Sequence, residues 1–331
     1  MTSIVSRTSL RFVFGIAVSA AFVIATVSRV DIAEVIQALR RVQSAGLVLA
    51  LVLVCLEIGV RAHRWQALIA PIGSIPYRRC LAYLCIGYFA NSLLPARLGD
   101  VARAYLAGAA FGIPRMAALG TILVERLTDG IAILLIVIAA GALVSAGDAL
   151  VTTAAALLVA GSLGALVLIA AGAIAIRTGL AGTRAGVAVR VTIAPILAGT
   201  TAIRRPTGLA ILAGLTLLAF GLAVAAFGSV AAAVGLDMTP LQAALVMGAL
   251  ALSTAIPAGP GSVGTYEFIG VTVLVSLGFP AEPAFAAVLL VHLLAALPPA
   301  VAGLGAFWAN HLRVGSLVEQ SVKAPLSGPA A

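Results

Sequence analysis

Charged side chains are scarce in this chain of 331 residues, because Asp, Glu, Lys and Arg together make up only 9% of it. Soluble domains carry about 25% charged and about 45–50% apolar residues, whereas 62% of this sequence is hydrophobic. An ordinary soluble enzyme is therefore excluded. The three cysteines all lie within apolar stretches, which excludes a secreted disulfide scaffold as well.

Lysine is almost absent, since Lys323 is the only lysine in a chain whose net charge is +9. Two interpretations of the arginine bias stay open: selection for bidentate contact with phosphate, or the codon usage of a GC-rich genome. The arginines lie in short loops beside apolar segments, as residues that determine membrane topology do. We therefore expect no nucleic-acid partner.

Long apolar segments recur from end to end, and about 20 such residues suffice to cross a bilayer. We predict an all-α polytopic membrane protein with one transmembrane domain over residues 1–310 and a polar cytoplasmic tail over 311–331. A cleaved signal peptide is the alternative for the first segment, but more membrane follows it. Six full crossings are predicted, at residues 10–27, 45–60, 116–144, 149–176, 208–235 and 284–308.

Two further apolar segments are short and interrupted by proline. The first covers about 79–112 and breaks at Pro95, and the second covers about 241–278 and breaks at Pro257. A broken helix frees backbone polar groups that cost several kcal/mol each in hydrocarbon. Both segments are therefore predicted to be re-entrant hairpins whose breaks face protein or a ligand cavity.

Loop charge predicts the orientation of the chain. Four arginines lie in the 61–79 loop and five in the 177–205 loop, whereas the 257–283 stretch has none. Cytoplasmic loops carry the excess of basic residues. We therefore predict a multi-pass protein of the cell inner (plasma) membrane with both termini in the cytoplasm.

The two hairpins resemble each other in sequence. Residues 94–101 read LPARLGDV and residues 256–263 read IPAGPGSV, and each stretch precedes a Gly-x-Pro turn and a long helix. Counting from these turns places Arg126 opposite His292. Three predicted crossings separate the copies, so the second is inverted, and such broken segments indicate a transporter site. Chance similarity between two Ala/Gly/Pro-rich stretches is the alternative.

Charged residues near the first break are candidates for binding an anion. Arg97, Asp100 and Arg103 are spaced to share one helix face. Their spacing favours a pair of guanidinium groups that binds an anion, with Asp100 orienting one of the two arginines. A solvated helix face that anchors at the lipid headgroups remains the alternative.

A second charged group lies inside the long helix that follows. Glu125, Arg126 and Asp129 must face the protein interior or a cavity, because each would be costly against lipid. A binding site and a structural salt bridge between Arg126 and Asp129 stay equally open. At the end of the second crossing, Glu57 and Arg61 have the spacing of an ion pair, and Arg64 with Trp65 is typical of an interfacial anchor.

The second hairpin is rich in glycine. Gly259, Gly261 and Gly264 match a dinucleotide-binding pattern, but no βαβ unit is possible here, so they indicate a backbone that approaches a ligand or a facing hairpin closely. The polar side chains that follow are Ser262, Thr265, Tyr266 and Glu267. Tyr266 equally fits a membrane-interface aromatic. His292, in the last crossing, fits either a packing contact or a proton-coupling group.

The sequence carries no recognised catalytic signature. It has no H-E-x-x-H, no G-x-S-x-G, no Walker lysine and no Cys/His metal cluster. We therefore expect that the chain is not an enzyme and that it needs no metal or cofactor.

Four motifs together resemble a known family. They are Arg64-Trp65, the 91–100 stretch with Arg103, the 124–129 stretch, and the 257–264 stretch with Glu267. The chain resembles the flippase-like transmembrane domain of lysylphosphatidylglycerol synthases and its stand-alone bacterial and archaeal relatives. The resemblance implies a protein that moves lipid between leaflets, in the best understood members aminoacylated phosphatidylglycerol. The aminoacyl transferase domain is missing here, so we expect a stand-alone member.

We therefore predict a lipid flippase or transporter for an anionic phospholipid or a polyprenyl-linked lipid. Its headgroup would lie between the two hairpins, against Arg97, Arg103 and Arg126. Two alternatives stay open. One is an ion-coupled exporter of a small solute, and the other is a non-catalytic membrane subunit that serves a lipid-synthesis or glycosyltransferase partner.

Overall fold

The computed structural model describes residues 2–93, 98–144, 196–254, 256 and 259–309. These residues form α-helices and two short 3₁₀ turns, at Thr201–Arg204 and Pro260–Ser262. The α-helices are α1 (Thr2–Val27), α2 (Ile32–Arg40), α3 (Ser44–Ile69), α4 (Tyr77–Leu93), α5 (Leu98–Phe111), α6 (Arg115–Val144), α7 (Pro206–Ala233), α8 (Pro240–Ser253), α9 (Thr265–Ser276) and α10 (Ala281–Ala309).

Four of these helices, α3, α6, α7 and α10, are long and apolar enough to cross a membrane. The α1–α2 pair, bent by 82°, adds a fifth span if it is counted as one. The described residues are therefore helical, as predicted, and the chain is a multi-pass membrane protein. The crossing at 149–176 and the tail at 311–331 lie outside the described residues, so the number of six crossings stays a prediction.

Helix ends follow local chemistry at several points. α8 begins at a capping box, in which the Thr239 hydroxyl accepts from the Gln242 N–H and the Gln242 side chain accepts from the Thr239 N–H. α2 begins where the Asp31 carboxylate accepts from the Ala33 N–H at 2.7 Å. α9 ends at Ser276, and the turn that follows contains Gly278, whose φ of 89° is readily available only to glycine. These local features determine where α2 and α8 begin and where α9 ends.

The second crossing is longer than the hydropathy predicted. α3 continues to Ile69 rather than ending at residue 60, so Arg61 and Arg64 lie within the helix and not in a loop. The prediction was wrong because the apolar run stops at the first charges, whereas these charges are paired inside the protein. The basic residues that remain near the α3–α4 connection are therefore Arg78 and Arg79, which lie in the first turn of α4.

The first interrupted segment folds back on itself as a helical hairpin, α4–α5. The two helices cross so closely that a Cβ atom on Gly99 would overlap the carbonyl oxygen of Gly87. The Asn91 side chain accepts from the Gly99 N–H at 2.8 Å and ties the two helices together across the break. Pro95 and Arg97 lie outside the described residues. This hairpin brings the start of α5 against the end of α4.

The second interrupted segment forms the hairpin α8–α9. A Cβ atom on Gly270 would lie 2.8 Å from the Leu250 side chain, so α9 packs closely on α8. Between the helices, the backbone φ angles are positive at Gly261 (68°), Ser262 (58°) and Gly264 (91°). The break is thus a tight, left-handed stretch that glycine makes accessible, and Pro257 lies outside the described residues.

Helix contacts follow a reciprocal pattern. α4 of the first hairpin packs against α10, which follows the second hairpin, and α8 of the second hairpin packs against α6, which follows the first. α5 contacts α6 as α9 contacts α10, α3 contacts α4 as α7 contacts α8, and α3 packs on α7. Exchanging α3–α6 with α7–α10 therefore leaves the main contacts among these helices unchanged.

Candidate functional site

Eight charged side chains meet where α3, α5 and α6 pack together. Four are arginines and four are acids, so their formal charges cancel. The group, called the charged cluster below, consists of Glu57, Arg61, Arg64, Asp100, Arg103, Glu125, Arg126 and Asp129.

Arg64 occupies the buried centre of the charged cluster. Its guanidinium makes two hydrogen bonds to the Asp129 carboxylate, at 2.6 and 3.2 Å, and a third to the Thr216 hydroxyl at 3.0 Å. The Glu125 carboxylate lies 3.6 Å away. Arg64 is only 1% exposed and Trp65 is fully buried, so the prediction of an interfacial anchor was wrong. These side chains join three helices instead.

Arg103 is the second buried arginine of the cluster. It donates to the Glu125 carboxylate at 2.7 Å, and its guanidinium lies 4.6 Å from the centre of the Trp65 ring. The Trp65 N–H in turn donates to the Thr121 hydroxyl at 3.1 Å. Arg103 therefore holds α5 against α3 and α6. Its Nε and Nη1 atoms are buried and make no hydrogen bond among the described residues.

Arg126 lies at the edge of the charged cluster. Its side chain is 32% exposed, compared with 15% for Arg61 and 2% or less for Arg64 and Arg103. Asp100 is its nearest acid, at 3.3 Å, whereas the predicted partner Asp129 lies 3.8 Å away. Arg126 is therefore the arginine of the cluster that a ligand reaches most easily.

Glu57 and Arg61 form the predicted ion pair at 2.6 Å. Arg61 also reaches Asp129 at 3.4 Å and lies over the Phe220 ring.

The second hairpin carries its own polar group, called the histidine cluster below. Glu267 contacts the His292 Nδ1 atom at 2.5 Å and accepts from the Gly264 N–H at 2.6 Å. The other ring nitrogen of His292 lies 2.9 Å from the Gly261 carbonyl oxygen. Tyr266 is buried and stacks on the His292 ring, with centroids 4.3 Å apart. A buried ring cannot serve at the membrane interface, so that alternative for Tyr266 was wrong.

The glycines of this hairpin approach α1. The Gly259 N–H donates to the Ser19 hydroxyl at 2.9 Å, and a Cβ atom on Gly264 would collide with the α1 backbone. The Ser262 carbonyl accepts from the Thr265 hydroxyl at 2.9 Å. The expected close backbone approach therefore exists, since the 260–262 turn packs against α4 of the facing hairpin as well as against α1.

Most predicted site residues thus fall into two groups, one on each hairpin and the long helix behind it. Arg97 lies outside the described residues. Sequence reasoning assigned Glu57, Arg61 and Arg64 to a helix end and missed them as members of the site. Their spacing of four and three residues places them on one helix face, and this signal was available in the sequence.

No curated protein matches the chain. A family model described as the lysylphosphatidylglycerol synthase TM region matches residues 12–303, a range that includes both clusters. The chain therefore belongs to the lysylphosphatidylglycerol synthase TM region family.

Proposed function

We propose that the protein is a flippase or transporter that moves an anionic phospholipid or a polyprenyl-linked lipid between leaflets. Family membership supports a role with lipids related to lysylphosphatidylglycerol. The proposal includes no covalent step, so the protein acts as a transporter and not as an enzyme. We further propose the inner (plasma) membrane as its location, with both termini in the cytoplasm.

The observation that carries this proposal is the position of Arg126. Within the charged cluster its side chain has the greatest exposure, and its nearest acid is Asp100 at 3.3 Å. A phosphate oxygen that replaces this carboxylate gains a charge-assisted hydrogen bond. The other arginines are enclosed by acids or aromatic rings. They stabilise the site around Arg126 and set its charge.

The helix contacts support an inverted repeat and alternating access. The reciprocal contacts of α4 with α10 and of α8 with α6 are those that a two-fold relation between the halves would produce. In transporters with inverted repeats, broken helices at the repeat interface hold the substrate and the halves rock around it. We propose that both hairpins are re-entrant and have this role.

Purified protein in liposomes tests the proposal. Wild type is expected to move fluorescent phosphatidylglycerol from the inner leaflet, so that dithionite quenches the protected half of the signal. Arg126→Ala is expected to slow this exchange at least tenfold, because a charge-assisted hydrogen bond contributes about 1.5–3 kcal/mol. Arg126→Lys restores part of the rate, since it keeps the charge and loses the fork of donors.

The control is Arg40→Ala, which removes an exposed arginine at the end of α2, outside the charged cluster. It is expected to exchange lipid at the wild-type rate. Equal rates for Arg126→Ala and wild type would overturn the site. If wild type moves no lipid without a synthase or glycosyltransferase partner, the protein is a subunit rather than a transporter.

A further inference from the structure

In the histidine cluster, the contact between His292 and Glu267 requires one proton more than a neutral imidazole and an ionised carboxylate carry. The Nδ1 atom of His292 lies 2.5 Å from the Glu267 Oε1 atom, and its Nε2 atom lies 2.9 Å from the Gly261 carbonyl oxygen. A carbonyl oxygen and an ionised carboxylate are both acceptors only. Both ring nitrogens of His292 therefore face acceptors.

A neutral imidazole has one donor nitrogen and one acceptor nitrogen. The Gly261 carbonyl requires the hydrogen to be on Nε2, which leaves a lone pair on Nδ1 facing the Glu267 carboxylate. Two lone pairs at 2.5 Å repel each other. A proton therefore lies between the two atoms, whether it is assigned to His292 or to Glu267.

This proton connects the turn of the second hairpin to α10. Glu267 accepts from the Gly264 N–H with its second oxygen, at 2.6 Å, while His292 reaches the Gly261 carbonyl. The pair therefore binds both ends of the 261–264 turn, where three residues have positive φ. Without the proton, the two anchors of the turn repel each other.

We propose that Glu267 and His292 form a proton-binding site that holds the 261–264 turn against α10, and that loss of this proton releases the turn. The released turn would free the Gly261 carbonyl and the Gly264 N–H for a ligand. A coupling role for this proton rests on the proposed transport function, whereas the site itself is measured without transport.

Among the residues that the structure describes, few ionisable groups surround this site, so the proton has few competitors there. α7 and α8 carry no ionisable side chain, and α1 presents the Ser19 hydroxyl to Gly259. α2 contacts α10 and carries Glu34 and Arg40, both exposed. Tyr266 on α9 stacks on the His292 ring, and Arg29 lies over the neighbouring Phe268 ring. α3 and α4 also pack against α10, and they carry Glu57, which is paired with Arg61, and Tyr88.

Hydrogen exchange of the purified wild type, measured by mass spectrometry between about pH 5 and pH 9, tests this site. After correction for the intrinsic rate, protection of the 261–267 amides is expected to fall at least tenfold as the pH rises. The α8 amides near Thr239 serve as the internal control, because their capping box contains no titratable group. Their corrected protection is expected to stay constant.

Two variants distinguish the proton-dependent release of the turn from a general loss of structure. In Glu267→Gln, the amide donates to the Nδ1 atom of neutral His292 and still accepts from the Gly264 N–H, so protection is expected to persist at high pH. His292→Ala is expected to expose the turn at every pH. A pH-independent turn in wild type, or a Glu267→Gln curve equal to that of wild type, would overturn the proposal. Neither result depends on whether lipid is transported.

Discussion

Replacing Arg64 by methionine is expected to lower the free energy of unfolding by about 3–5 kcal/mol, the usual cost of breaking a buried ion pair. Arg64 makes two hydrogen bonds to Asp129, one to Thr216 and a longer contact to Glu125. Methionine fills much of the space but supplies no charge. The variant therefore leaves three arginines and four acids in the charged cluster, so one buried negative charge is not balanced.

Unfolding in mixed micelles with increasing SDS gives this free energy. The double variant Arg64→Met/Asp129→Leu is expected to recover most of the loss, because it removes one charge of each sign and leaves three arginines facing three acids. The surface variant Arg40→Met is expected to change stability by no more than about 0.5 kcal/mol. If Arg64→Met is as stable as wild type, the central role of Arg64 is wrong.

The apolar segments were predictable because local composition determines them. The predicted 116–144 crossing corresponds to α6 (Arg115–Val144), and the predicted 208–235 crossing to α7 (Pro206–Ala233). Both interrupted segments are indeed pairs of short helices. A long run of apolar residues has one stable arrangement in a bilayer, so its position can be read directly from the sequence.

The partners of the charges were not predictable in the same way. Arg126 was expected to pair with Asp129 in its own helix, yet its nearest acid is Asp100 on α5. Arg64 was placed at an interface, yet its partners lie on α6 and α7. These pairs depend on how helices pack, and residue spacing constrains only contacts within one helix.

Arg126 and His292, which the sequence comparison of the two hairpins places opposite each other, have similar surroundings. Each lies in the long helix that follows a hairpin, and each pairs with an acid on the second helix of that hairpin. Those acids are Asp100 and Glu267, which the sequence alignment does not place opposite each other. If the proposed repeat holds, the two halves keep a basic residue in the same place and supply its acid from different positions.

The close crossing of α4 and α5 leads to the second large expected effect. Gly99→Ala is expected to destabilise the protein by about 3 kcal/mol, because the added methyl group overlaps the Gly87 carbonyl oxygen and also meets the Asn91 side chain. The backbone oxygen cannot turn aside as a flexible side chain can. Separating the helices would also weaken the Arg103–Glu125 pair, so the loss extends into the charged cluster.

Gly130→Ala, in the middle of α6, is the matched control, since a Cβ atom there meets no neighbouring atom within 4 Å. It is expected to stabilise the protein by about 0.5–1 kcal/mol, because alanine loses less backbone entropy than glycine in a helix. The same change of one methyl group should thus have opposite signs at the two glycines in an SDS titration. A gain in stability for Gly99→Ala would mean that α4 and α5 do not cross at Gly87, and that Arg103 reaches Glu125 from a different position.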